Sequence, residues 1–185
     1  RPPRSTLFPY TTLFRSSASR ATEEDKVKVG NGLPKFTMST THNFRYKNFD
    51  LALFFRGAFG FDLFNIHDFY YGTRKYSGNM LKKAYGKNFK ISSTGPHAVT
   101  DYFLERGDYF KLDQITLGYT LNVPKAKYMN SLRIYGSVTN VFTITKFSGV
   151  DPSTYPVNGL TPGAQGSCMY YPTTRQFILG AQIEF

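Results

Sequence analysis

The sequence has no tryptophan and a single cysteine, Cys168, in 185 residues. A lone cysteine can neither close an internal disulfide nor build a thiolate metal cluster. Histidine is scarce as well: His42, His67 and His97 stand far apart and lack the spacing of metal ligands. No run approaches the ~18 apolar residues of a membrane-spanning helix. That absence leaves a membrane β-barrel open, because barrel strands give a much weaker signal. Acidic residues number 12 against 23 Lys and Arg, for a formal net charge of +11. Such a surplus suits an anionic partner. The cations read as scattered, without a clustered face, so no nucleic-acid partner is expected. Asp108, Asp113 and Asp151 have no histidine at a suggestive spacing. No catalytic set, metal site or cofactor is expected, and Asp151-Pro152 reads as a turn.

Aromatic residues are abundant, with 18 Phe and 14 Tyr making 17% of the chain. Their placement follows a period of two from Lys35 onward. "KFTMSTTHNFRY" puts Phe36, Met38, Thr40, His42, Phe44 and Tyr46 on one face. Lys47-Asn48 makes a tight turn into "FDLALFFRGAF", where Phe49, Leu51, Leu53, Phe55 and Phe59 oppose Asp50, Ala52 and Arg56. A third strand aligns Ile115, Leu117, Tyr119 and Leu121. A fourth aligns Leu132, Ile134, Val138, Phe142 and Ile144, and Asn140 interrupts it. Either a β-bulge re-aims that strand or its register is different. The fifth alternates Phe177, Leu179, Ala181, Ile183 and Phe185 with Gln176, Gly180, Gln182 and Glu184.

The predicted strands are 35–46, 49–59, 110–121, 131–144 and 174–185. The links between them run short, long, short, long, and the long ones cover 60–109 and 145–173. Loops of that length are uncommon inside compact soluble domains. Outer-membrane barrels, in contrast, have short periplasmic turns and long outer loops. With the short links periplasmic, Tyr46, Phe49, Tyr119 and Phe185 fall near the periplasmic strand ends, where an aromatic girdle belongs. The competing reading is a soluble carbohydrate-binding β-sandwich, whose strands also alternate. Within residues 1–16, Thr6-Leu7-Phe8 is repeated as Thr12-Leu13-Phe14, and Thr6 to Ser16 resembles a translated sequencing-adapter oligonucleotide. Residues 1–16 are set aside as an expected assembly artefact, and 17–34 reads as polar loop.

Four phrases resemble one family: "GNGLPKFTMSTTHNFRYKNFDLALFFRG", "DYFLERGDYFKLDQITLGYTLNVP", "LRIYGSVTNVFTITKFSGVDP" and "YPTTRQFILGAQIEF". In that order they resemble the late strands of SusC/RagA-type TonB-dependent transporters, from about Val29 to Phe185. The resemblance implies an all-β fold: the last five or so strands of an antiparallel transmembrane barrel of about 22 strands. It implies the outer membrane of a Gram-negative, Bacteroidota-type bacterium. It also implies a SusD-like surface lipoprotein as lid, TonB as energy source through a segment not present here, and glycans or peptides as cargo. A TonB-dependent siderophore or vitamin receptor is the alternative within the same barrel type.

The resemblance also gives the end of the chain a role. Gly180, Ile183 and Phe185 match the Gly-x-x-apolar-x-aromatic signal read by the barrel-assembly machinery, although Ile178 stands where a polar residue is usual. Tyr70, Tyr71, Tyr170 and Tyr171 in the long loops are expected either to stack on sugar rings or to pack the loops and meet the lid. Arg45, Asp50, Arg56 and Arg133 are expected to face the lumen, along the solute path or in ion pairs with neighbouring strands. Five strands alone would leave two rows of backbone groups unpaired in hydrocarbon. The 185 residues are therefore expected not to transport by themselves.

Overall fold

In a computed structural model, the described residues are 28–76, 78–89, 91, 99–122, 129–155, 162–164 and 171–185. They divide into two compact units. One is a five-stranded antiparallel sheet built from Thr37–Ala58, Tyr109–Thr145 and Thr173–Phe185. Its strands are β1 (Phe36–Tyr46), β2 (Phe49–Phe59), β5 (Tyr109–Asn122), β6 (Ser131–Thr145) and β7 (Gln176–Glu184), paired in the order β1-β2-β5-β6-β7. The other unit comprises the segments ending at Phe36 and spanning Phe59–Asp108 and Lys146–Pro172.

Register explains why the sequence alternates. Leu51, Leu117, Gly136 and Leu179 form one continuous cross-strand row, and Leu53, Ile115, Val138 and Phe177 form the next. Because side chains alternate across a strand, the intervening rows carry the other face. There Asp50, Gly118, Tyr135 and Gly180 align, as do Ala52, Thr116, Ser137 and Ile178. A one-residue slip would exchange the two faces, so the apolar pattern pins the pairing.

A bulge crosses the sheet midway. Between Gln114↔Thr139 and Leu112↔Phe142 the register shifts, stepping over Asp113 on β5 and Asn140-Val141 on β6. Asn140 takes φ 53° and its side-chain amide donates to the Thr174 carbonyl at 2.7 Å. Asn tolerates this left-handed conformation better than most residues. The bulge resolves the interrupted pattern at Asn140: stepping over two residues of β6 takes Asn140 out of the ladder and keeps Phe142 and Ile144 in phase with Val138. It also brings Phe110 and Leu112 to the apolar face, despite their opposite parity to Ile115. The Phe55 and Phe110 rings stack at 5.6 Å.

Among the described residues, no second layer of sheet covers the apolar face. Leu117 is 51% exposed, Ile134 50%, Phe177 74% and Leu179 88%. Soluble monomers seldom present contiguous apolar patches beyond a few hundred Å2. A β-sandwich would bury such rows between its sheets, so that alternative does not describe this chain. No described helix is long and apolar enough to cross a membrane.

The second unit is more structured than loop lengths suggest. It holds a two-stranded ribbon, β3 (Asp62–Phe64) with β4 (Leu104–Arg106), and the short helix α1 (Ile66–Tyr71). Its core is Phe64, Ile66, Phe69 and Phe103, with Tyr70, Ile91 and Val99 packed against it. The Phe69 and Phe103 rings meet edge-to-face at 5.3 Å, a favoured aromatic geometry.

Candidate functional site

The polar face of the sheet is organised by one ion pair and one glycine. Asp50 on β2 and Arg133 on β6 are separated by a whole strand, β5. They meet because Gly118 lies between them. Arg133 Nε donates to Asp50 Oδ1 at 2.9 Å and Nη2 to Oδ2 at 2.5 Å. A Cβ on Gly118 would stand 2.5 Å from Asp50 Oδ1 and 2.6 Å from Arg133 Nη2. Glycine inside a strand often marks such a close approach. The guanidinium also lies 5.1 Å from the Tyr135 ring centre. Tyr135 in turn lies over Gly180, where a Cβ would collide with its ring. Arg45, Lys47, Asp50, Asn122 and Arg133 border a hollow of about 420 Å3 near the β1–β2 turn.

Beyond the bulge lies a second charged group. Arg56 Nε is 2.5 Å from Asp113 Oδ2, and Lys111 Nζ is 3.6 Å from Asp113 Oδ1. Lys111 is only 1% exposed. The extra residue that creates the bulge on β5 is therefore the carboxylate that holds these two cations. Between the two charged groups, Thr116 and Ser137 share a hydrogen bond of 2.9 Å, and Gln114 donates to Ser137 at 3.2 Å. The face is hydrophilic and cross-linked, as a solvent-lined wall would be.

In the other unit, a polar network ties distant segments together. Asn65 caps α1 by accepting from the Asp68 amide at 3.0 Å, and its own amide donates to Glu105 at 3.0 Å. Glu105 accepts from the Ser148 amide at 2.7 Å and hydroxyl at 2.6 Å. Lys83 donates to Ser148 at 2.7 Å and pairs with the buried Asp68 at 3.2 Å. Asn88 donates to Asp68 at 3.1 Å and accepts from the Tyr102 hydroxyl at 2.7 Å. Burial would raise the Glu105 carboxyl, but hydrogen bonds from Ser148 and Asn65 and the charge of Lys83 outweigh it and hold it below its ordinary range. Asp108 is held low too: burial opposes ionisation, but Arg106 and the Gly60 and Phe61 amides overcome it.

The sequence-predicted residues separate along these lines. Asp50 and Arg133 come together, and Arg56 joins Asp113 instead. Arg45 borders the hollow beside Asp50. Tyr70 is half-buried, edge-on to Phe69 at 5.1 Å and 5.4 Å from Tyr76. Tyr71 and Tyr171 are exposed, and Tyr170 lies outside the described residues. Ile183 pairs with Leu132 on the apolar face, and Phe185 is 84% exposed. Asp151 caps its own turn by accepting from the Ser153 amide at 2.8 Å. Among the described residues, no three His, Cys, Asp or Glu side chains gather as a metal site. Gly118, Asp113 and the Asn65–Glu105–Ser148 network were not foreseen. A glycine within "ITLGYT" was a usable signal for the first; the network joins residues up to 83 apart and left none.

No family model matches the chain. A TonB-dependent receptor, P3, of Formosa agariphila is 26% identical over 181 residues, covering 87% of this chain and 17% of its own length. The TonB-dependent receptor SusC of Bacteroides thetaiotaomicron is 27% identical over 162 residues, covering 80% and 15%. A RagAB peptide transporter structure superposes with a TM-score of 0.70 over 96% of this chain and 21% of that one, at 18% identity. A RagAB peptide importer in a closed-closed state gives 0.67 over 91% and 19%. The chain is similar in sequence to SusC-type TonB-dependent receptors and shares its fold with a segment of the RagAB barrels. It spans less than a fifth of the curated relatives described above. Closed into such a barrel, the sheet would turn the face of Leu117 and Leu179 outward and the face of Asp50 and Arg133 inward. Sheet edges β1 and β7 are the positions where neighbouring wall strands would pair.

Proposed function

We propose that this chain forms five wall strands of an outer-membrane importer that takes up glycans or peptides through gated passage, without covalent chemistry. The observation that carries the proposal is the two-faced open sheet: unbroken apolar rows on one side, bonded charged and hydroxyl groups on the other. Only closure with further strands satisfies its edges in lipid. Similarity to SusC and the RagAB fold supports the same assignment. A SusD-like lipoprotein over the outer mouth and TonB at the periplasmic side are the partners, and the barrel-assembly machinery reads Gly180, Ile183 and Phe185. Arg45, Asp50, Arg56 and Arg133 face the lumen, and Tyr71 and Tyr171 stand on the outer loops for cargo or lid.

The test is made with the full-length transporter carrying this segment. It should fractionate with outer membranes, migrate faster on gels before heating than after, and accumulate cargo only when TonB is energised. A full-length protein that stays soluble and monodisperse without detergent would end this reading.

A further inference from the structure

We infer that the first long loop carries a binding surface for an acidic polysaccharide, one bearing carboxylate or sulfate groups. This names a cargo class for the importer proposed above and rests on that reading. From Phe69 to Thr100 the sequence has no Asp or Glu, yet it holds Arg74, Lys75, Lys82, Lys83, Lys87 and Lys90. Read along the whole chain the cations look scattered; within this stretch they are concentrated, with no acidic residue among them.

The structure separates structural from available charge. Lys83 is committed to Asp68 and Ser148, and Asp68 is 6% exposed and already bonded by Lys83 and Asn88. Lys82 and Lys87 are exposed, and no carboxylate among the described residues pairs with either. Between them stands Tyr85, 64% exposed, on the same turn. Phe89 follows, 53% exposed. It is held from behind by Arg74, whose guanidinium lies 4.2 Å from the ring centre and whose Nη2 donates to the Phe89 carbonyl at 2.9 Å. The turn thus presents two rings interleaved with two unpaired ammonium groups.

That combination matches an acidic sugar chain. A pyranose offers an apolar C–H face to a ring, and its carboxylate or sulfate offers a charge to lysine. A protein lid fits less well, because interface cores are depleted in lysine relative to the rest of the surface. A lipid surface would use the ammonium groups and leave no stacking role for a ring pinned by Arg74.

Binding to the purified full-length transporter in detergent tests this without requiring transport. The probes are a hexagalacturonate, a maltohexaose of equal length, and phosphatidylglycerol vesicles. The hexagalacturonate should bind tighter than the neutral hexaose, and the advantage should shrink as salt rises, because exposed pairs are screened. K82A/K87A should weaken hexagalacturonate binding by about twofold to thirtyfold, from two exposed pairs. K82R/K87R should restore most of it, which a misfolded loop would not. Y85A should weaken both sugars. Equal affinity for the two hexaoses, or an unaltered K82A/K87A, overturns the inference. So does a K82A/K87A variant that loses only vesicle binding. If TonB-dependent uptake of another cargo persists in that case, the importer reading stands and only the acidic-glycan assignment falls.

Discussion

Replacing Gly118 with alanine should damage the inner wall through an ion pair to which Gly118 contributes no atom. The added Cβ would sit 2.5, 2.6 and 2.7 Å from Asp50 Oδ1, Arg133 Nη2 and Asp50 Oδ2. Ordinary contact needs about 3.5 Å, so the pair must open. The pair is bidentate, with side chains 28% and 26% exposed. It should be worth about 1–2 kcal/mol, more than a fully exposed pair and less than a buried one. Residual overpacking adds about 1 kcal/mol, giving about 2–3 kcal/mol for G118A. Asp50→Ala should cost about 1–2 kcal/mol, since Arg133 keeps some solvent and the Tyr135 ring. The discriminating variant is the double one. Without Asp50, Arg133 loses its anchor and can swing away, so D50A/G118A should be nearly as stable as D50A. The coupling should be about 2 kcal/mol, well beyond what independent sites give. The assay is the temperature at which the full-length barrel loses its compact gel mobility, measured for all four proteins. If G118A lowers it as much in the D50A background as in wild type, the ion-pair account of this glycine is wrong.

Three further outcomes are expected. Leu179→Arg, on the lipid face, should cost about 2–4 kcal/mol near the membrane midplane and reduce the folded fraction in outer membranes, whereas Gln182→Arg on the inner face should leave it unchanged. Asn140→Val should destabilise the bulge by about 1–2 kcal/mol, because a β-branched residue resists φ 53° and loses the bond to Thr174, and Asn140→Gly should cost less; the same gel assay ranks them. Glu105 has a folded pKa below its unfolded value of 4.5, so its contribution is complete above that value and fades as pH falls through the folded one. Limited proteolysis of the loops in the full-length protein should therefore accelerate as pH drops below about 4.5, and Glu105→Gln should be more easily cleaved at pH 7 with a flatter pH response.

The five long strands were legible because each is a period-two pattern lasting nine residues or more, and lipid on one side with water on the other imposes that period directly. The interruption at Asn140 was visible as a broken face. Its resolution needed the partner strand, since a bulge is a mismatch between two strands and Asp113 had no reason to be singled out on β5. The aromatic cluster of Phe64, Phe69 and Phe103 was hidden for a different reason. Ribbon β3–β4 is three residues per strand, too short to show a period, and its halves are separated by the whole basic turn. Local pattern reports what a segment buries only when the segment is long enough to have two faces.

The two kinds of charge in this chain follow from the same rule. On the sheet, side-chain directions are fixed by the pleat, so a cation at Arg133 or Arg56 finds its carboxylate one or two strands away and is neutralised in place. In the loop, no pleat constrains direction, and among the described residues no carboxylate pairs with Lys82 or Lys87, which flank the exposed Tyr85 near the Arg74-held Phe89. Arg133 and Arg56, already paired with Asp50 and Asp113, are poorly suited to bind an anionic solute tightly. A loop with unmatched ammonium groups is suited to capture one. G118A separates the two: Arg133 freed from Asp50 should hold an acidic solute longer, read as slower release of hexagalacturonate, while capture by Lys82 and Lys87 stays unchanged.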